Sequence, residues 1–308
     1  MANSKKTAVL LLAHGSPDSV DQVPDFLLRV TGGRPLPQPV VDEVKHRYGL
    51  IGRSPLTELT LKQADCLTRE IGMPVYVGMR NWNPFIADAV KNMVTDGIEY
   101  AVAICLAPQN SRTSVGLYRS ALADTGTPFT VDFVESWHDQ PSLIRAFAER
   151  LRAGLDRAHR EAKTQTIPII FTAHSIPERT IADGDPYESQ AKETALLVAR
   201  EAALAPESWT FAFQSQGMSG GAWLGPRVED TILGLKEKGH RGVFLQPIGF
   251  LCDHVEVLYD IDIAFKEFAD NQSMRLWRAE SLNDSPLLAA ALADVVRSRF
   301  LPALLASK

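Results

Sequence analysis

Three segments carry the side chains best suited to hold a cation or move a proton: Ala13-His14-Gly15-Ser16-Pro17, Thr172-Ala173-His174-Ser175-Ile176-Pro177-Glu178, and Asp253-His254-Val255-Glu256-Val257-Leu258-Tyr259-Asp260. His14 and His174 each follow directly on a run of apolar, β-branched-rich residues, and the acidic stretch comes shortly after another. Side chains at the carboxyl ends of such runs meet the ligand crevice of an α/β sheet. Histidine titrates near neutrality without any shift, so it serves as base or ligand. His, Glu and His from distant segments could therefore hold a divalent ion. Each feature also has a plain structural alternative: a core histidine bonded to a backbone carbonyl, or a solvated acidic helix face. Asp253, Glu256 and Asp260 make one stripe on a helix, whereas His254 and Glu256 share a face only on an extended segment.

A second set is suited to an anionic organic ligand. Arg34, Arg47, Tyr48, Arg53 and Ser54 cluster in and beside the stretch Pro35–Pro55, Arg80 and Trp82 follow one expected strand, and Arg112 and Tyr118 follow another. Arginine matches carboxylates bidentately and tyrosine adds a neutral donor, so these residues could grip the acidic rim of a flat ligand. Trp223, in Gly220-Gly221-Ala222-Trp223-Leu224-Gly225-Pro226, is either a packing face for a planar ring or a loop anchor. No HExxH, GxxxxGK[ST], dinucleotide fingerprint or GxSxG occurs, which ranks metalloprotease, phosphoryl-transfer and serine-hydrolase chemistry low. Cys66, Cys105 and Cys252 lie far apart without CxxC spacing, so no disulfide framework, thiolate zinc site or iron–sulfur cluster is expected.

The elements that must position these residues alternate along the chain. Strands are expected at Thr7–Ala13, Pro74–Met79, Tyr100–Leu106 and Phe129–Val134, with helices near Val40–Tyr48, Thr57–Glu70, Pro84–Thr95, Val115–Ala123 and Pro141–His159. The polar stretch Arg160–Thr166 reads as a linker. The plan then repeats, with strands at Ile167–Ala173, Thr210–Gln214, Gly242–Ile248 and Met274–Ala279 and helices at Ser189–Ala203, Val228–Lys238 and Pro286–Leu301. The expected fold class is α/β, as two similar Rossmann-like domains with mainly parallel sheets flanked by helices, residues 1–160 and 161–308, with a ligand cleft between them. The last helix is free to pack back on the first domain.

Composition agrees with a globular protein: 308 residues, 45% hydrophobic and 22% charged, with both signs interspersed. A net charge of −5 argues against nucleic acid as partner. No apolar run approaches the ~20 residues that span a bilayer, and Ala8–Ala13 is too short for a signal-peptide core, so a cytoplasmic protein without a transmembrane segment is expected. Nothing in the pattern calls for an oligomer, and a monomer is expected.

Taken in order, these segments resemble the ferrochelatase family, enzymes that insert ferrous iron into a porphyrin. The likeness rests on Gly15-Ser16-Pro17, Arg47-Tyr48 with Ser54-Pro55-Leu56, Pro84-Phe85-Ile86, Leu106-Ala107-Pro108, Glu135-Ser136-Trp137, Ala173–Glu178, Asp185-Pro186-Tyr187, Gln214-Ser215-Gln216 with Trp223–Pro226, and Gly249-Phe250 with Asp253–Asp260. It most resembles the short bacterial coproporphyrin III ferrochelatases. By that resemblance His174 and Glu256 are the catalytic pair and contact the metal. Arg47, Tyr48, Ser54, Arg80, Tyr118 and Trp223 border the porphyrin, and Asp260 belongs to an acidic metal path. His14 stands where such relatives carry tyrosine and is a further candidate contact for porphyrin or metal, on the other face of the ring. Thr31 replaces an expected arginine, Arg80 a lysine and Ala264 an acid, so the acidic path would run through Asp260 and Asp262.

The resemblance implies Fe2+ as a substrate, with no tightly bound cofactor and a weakly held divalent cation at most. The implied macrocycle is coproporphyrin III, with protoporphyrin IX as the alternative and a downstream heme-pathway enzyme as a partner. A sirohydrochlorin cobalt or nickel chelatase and a non-enzymatic tetrapyrrole carrier are the rival readings.

Overall fold

Strand β1 (Thr7–Ala13) consists of apolar residues that are wholly or almost wholly buried from Ala8 onward, which fits a strand hydrogen-bonded on both edges and covered on both faces. In the computed structural model, which describes residues 5–164, 166–217 and 221–305 with backbone alone at 301–305, it lies at the centre of a four-stranded parallel sheet. Its neighbours are β2 (Val75–Met79) and β3 (Tyr100–Cys105), and β4 (Thr130–Val134) completes the order β2-β1-β3-β4. Helices α1 (Val23–Val30), α2 (Gln38–Ile51), α3 (Leu56–Ile71), α4 (Ile86–Thr95) and α5 (Val115–Ala123) belong to this first unit. Ala8, Leu10 and Leu12 pack against Ile86, Ala89, Val90 and Met93 of α4 and Val115, Tyr118 and Leu122 of α5. Each fully buried leucine of that strand contributes roughly 1.5–3 kcal/mol.

Helix α1 lies in a stretch that reads from sequence as a polar, proline-broken lead-in. Pro24 does not break it, because it occupies the first helical turn, where a missing N–H costs nothing. The chain's last helix, α12 (Pro286–Leu305), also belongs to the first unit and packs on α3. Leu288, Leu292, Val295 and Val296 of α12 are buried.

The second unit spans Gln109–Ser111 and His138–Leu282. Its sheet repeats the first, with β5 (Ile169–His174), β6 (Trp209–Gln214), β7 (Gly242–Pro247) and β8 (Arg275–Arg278) in the parallel order β6-β5-β7-β8. Helix α6 (Pro141–Ala162) packs on α8 (Tyr187–Glu201), β7 and β8. Gly154 allows that approach, since a Cβ there would lie 2.6 Å from Phe244 Cζ. A short helix α7 (Glu178–Ala182) follows β5, and α9 (Val228–Glu237) joins β6 to β7.

After β7 the chain is extended at His254, forms the four-residue α10 (Val255–Leu258), passes through a π-helical segment (Asp260–Phe265) and continues as α11 (Lys266–Asn271). Neither a single helix nor a single strand describes the acidic stretch. In both sheets the strand order reverses beside the first strand of the unit, between β1 and β3 and between β5 and β7. Open α/β sheets bind ligands beyond the carboxyl ends of the strands at that reversal. His14 follows β1, His174 ends β5, and Glu256 follows β7.

Candidate active site

The second unit gathers the expected pair. His174 Nε2 stands 3.4 Å from Glu256 Oε1, with both side chains about one-third exposed. The other ring nitrogen, Nδ1, donates to the Ser175 carbonyl, which fixes the tautomer. A neutral His174 then presents its Nε2 lone pair beside a carboxylate oxygen. Two Lewis bases so placed are stabilised by a proton or a cation between them. Donor atoms about 2.1 Å from one ion at a near-tetrahedral angle stand about 3.4 Å apart, the separation seen here. Burial is the largest influence on His174 and lowers its pKa, but Glu256, the Ser175 carbonyl and Asp260 act in the opposite direction and the net direction is up. Tyr187, on the first turn of α8, donates its hydroxyl to the His174 carbonyl at 2.9 Å and anchors the strand end.

The Glu256 segment is braced from β6. Buried Gln214 donates through Nε2 to the Glu256 carbonyl at 3.0 Å. Its neighbour Ser215, with φ of 59° in the left-handed region, donates its hydroxyl to Asp260. Asp260 is buried and opens the π segment.

His254, which shares a face with Glu256 only on extended backbone and is not among the residues expected in the site, sits beside the pair. Its Nε2 is 3.9 Å from Glu256 Oε2, its ring meets Phe250 edge-on with centroids 4.6 Å apart, and burial lowers its pKa. The signal was the His-x-Glu spacing on extended backbone, the conformation found at His254. Among the described residues no group of three or more His, Cys, Asp or Glu converges in metal-ligating fashion. Trp223 is held by a bridge to Pro177, and its ring lies where a Cβ on Gly217 would come within 2.5 Å.

The first unit carries the other candidates. His14 is exposed at the end of β1, with the Asn81 side-chain amide 3.2 and 3.3 Å from its ring nitrogens and Phe26 edge-on at 5.8 Å. Gly15 has φ of +85°, and a Cβ there would lie 2.8 Å from the Trp82 backbone nitrogen, so this turn requires glycine for two reasons. Tyr48 is buried and shares a 3.0 Å hydrogen bond with Ser16, and Ser54 and Tyr118 are buried as well. Arg47 pairs with Glu43 at 2.8 Å on the same helix. Arg80 is partly buried, and its desolvated guanidinium has its pKa pulled down, opposed by Tyr118. A desolvated guanidinium of this kind gains most from an incoming carboxylate. Thr31 caps α1, its hydroxyl turned back to the Leu27 carbonyl at 3.0 Å.

Two parallel sheets of one order, with imidazoles at both reversal points and an imidazole–carboxylate pair at one of them, define a two-unit α/β protein of the chelatase type. In fold the chain is similar to the sirohydrochlorin chelatase of Bacillus subtilis subspecies spizizenii solved in complex with cobalt, at a TM-score of 0.59 and 11% identity over 95% of this chain and 94% of that one. The chain belongs to the ferrochelatase family, whose model matches residues 6–300. A ferrochelatase of Acidobacterium capsulatum is 53% identical, covering 96% of this chain and 94% of the relative. A protein of Geobacillus kaustophilus named coproporphyrin III ferrochelatase is 37% identical, covering 96% and 97%. Among the described residues no helix is long and apolar enough to cross a membrane.

Proposed function

We propose that this enzyme inserts Fe2+ into coproporphyrin III in heme biosynthesis, giving Fe-coproporphyrin III and two protons. The observation that carries the reading is the His174–Glu256 pair at 3.4 Å, beside the point where the strand order reverses. Metal insertion exchanges two pyrrolic protons for one divalent cation. It needs a partly desolvated metal, a proton acceptor and a macrocycle distorted enough to expose its nitrogen lone pairs. His174 is both metal contact and proton acceptor. Glu256 is the second metal contact and stabilises the imidazolium that forms. Ferrous iron is a substrate in this scheme, and no tightly bound cofactor or iron–sulfur cluster takes part. Asp260 is a weak holding point for a hydrated divalent ion, consistent with the preference of such ions for carboxylate oxygen.

Arg80, Arg47, Tyr48, Ser54 and Tyr118 take the substrate's carboxylates, Trp223 borders the ring, and His14 is a further contact for porphyrin or metal. The desolvated Arg80 guanidinium supports the first part of this assignment. The relatives named for coproporphyrin III support the substrate. The protein works as a cytoplasmic monomer and passes its product to a downstream heme-pathway enzyme.

Protoporphyrin IX, with fewer carboxylates, is the second reading. It is favoured by Thr31, whose hydroxyl is spent on its own helix rather than offered to a ligand. Initial rates with the two porphyrins in competition under anaerobic ferrous iron test the choice through the ratio of kcat/KM values. A ratio above one for coproporphyrin III is expected, and a ratio below one transfers the assignment to protoporphyrin IX.

A further inference from the structure

Glu256 is carried by a segment with little rigidity of its own. One turn of helix gives way to the π segment, where both the Ile263 and Ala264 N–H groups bond the Tyr259 carbonyl, at 3.1 and 2.9 Å. Helices this short are not self-supporting, and π turns persist where surrounding structure enforces them. Gln214 and Ser215 brace the middle of the segment, and a different side chain secures its two ends.

Arg278, the last residue of β8, is 15% exposed. Its Nε and Nη2 donate to the two carboxylate oxygens of Asp262 at 2.6 and 2.8 Å. Nη2 also donates to Asp253 Oδ1 at 3.2 Å, and Nη1 to the Ala279 carbonyl at 3.0 Å. Ser281 adds a 2.7 Å bond to the same oxygen of Asp253. Asp253 and Asp262 bracket His254, Glu256 and Asp260 in sequence. One planar guanidinium thus ties both ends of the segment to a strand of the sheet. With both of its oxygens accepting from Arg278, Asp262 serves this anchor rather than a metal path.

We propose that Arg278 is a positioning residue for metal insertion, a clamp that holds the Glu256 carboxylate in register with His174. The proposal rests on the assignment of Glu256 made above. Only a guanidinium fork satisfies a bidentate carboxylate and a second acid together, because lysine offers a single charged point. Displacement of a reacting group by about 1 Å costs up to ~10²-fold in rate.

The test compares anaerobic initial rates with ferrous iron and coproporphyrin III for wild type, Arg278→Lys, Asp262→Asn and Glu256→Gln, alongside thermal unfolding followed by circular dichroism. In Arg278→Lys and Asp262→Asn, kcat is expected to fall roughly tenfold or more. The porphyrin KM should stay within about twofold, and unfolding should remain cooperative. Asp262→Asn changes no volume and keeps the test decisive where the Arg278 variant folds poorly. A kcat within about twofold of wild type in both variants overturns the clamp, as does a loss that only tracks the folded fraction. Glu256→Gln separates the two claims. Full turnover there overturns the assignment of Glu256 itself, whereas a loss there with none in either Arg278→Lys or Asp262→Asn overturns the clamp alone.

Discussion

An imidazole and a carboxylate held 3.4 Å apart form a site that is stabilised by a proton or a cation between them. His174 has a raised pKa in the folded protein because Glu256, Ser175 and Asp260 outweigh its burial. A raised folded value means that the pair's contribution to stability is complete below the unfolded value, about 6.5, and is lost as pH rises through the higher folded value. The unfolding free energy of wild type minus that of His174→Gln is therefore expected to be largest below about pH 6.5 and to shrink as the pH rises above it. Chemical denaturation across that range measures it, and a difference that grows with pH contradicts the assignment of cause. Catalysis runs the other way, since only the neutral ring accepts a proton, so insertion rates should rise over the same window. His174→Ala should reduce metal insertion below detection while unfolding stays cooperative, because Tyr187 and the strand ladder bond the backbone at this position rather than the ring. Residual activity near the wild-type level would remove His174 from the mechanism.

At the scale of elements, the reversal points do the positioning, and the braces around them carry strain. Ser215 follows β6 in a left-handed conformation that disfavours any residue with a Cβ, yet its hydroxyl holds Asp260. Ser215→Ala keeps the strain and loses the bond, at a cost of about 1.5–3 kcal/mol for a hydrogen bond to a charged group. Ser215→Gly loses the same bond but relieves the backbone, so it should be more stable than Ser215→Ala by about 1 kcal/mol. Both should lose insertion activity to a similar degree. Equal stability of the two variants, measured by urea unfolding, would mean that the backbone is not strained at this position. The strands and most helices were legible from apolar runs and 3.6-residue periodicity, and His174 was legible because it directly ends such a run. The π segment was not, because the partners that hold it, Ser215 on Asp260 and Arg278 on Asp262, come from distant residues, and no local period records them. Helix α1 was hidden by Pro24, which reads as a breaker until its place in the first turn is known. His254 was half legible: its spacing from Glu256 fitted an extended backbone, but only the structure shows that the backbone is extended there.

At the scale of the whole chain, the second unit is built from one continuous stretch and the short Gln109–Ser111 insert, whereas the first unit draws on residues from both ends of the sequence. An apolar helix at a terminus carries no mark of the partner it packs on, so the seat of α12 on α3 could be read only as an option. The consequence is energetic. Leu288, Leu292, Val295 and Val296 are each no more than 4% exposed. At roughly 1.5–3 kcal/mol apiece, four such side chains amount to about 6–12 kcal/mol, comparable with the ~5–15 kcal/mol that stabilises a whole domain. A chain ending at Leu282 is therefore expected to lose the first sheet and with it the turns that place His14 and Arg80 and the seat of Tyr48 on α2. The milder substitution Leu292→Ala should cost about 2–5 kcal/mol. Because Leu292 belongs to the first unit, that loss should fall first on its sheet: amide exchange in β1 and β3 should accelerate before exchange in β5 and β7. Equal acceleration in both sheets would show that the two unfold as one cooperative block, and unchanged exchange in β1 would show that α12 contributes little to the unit on which it packs.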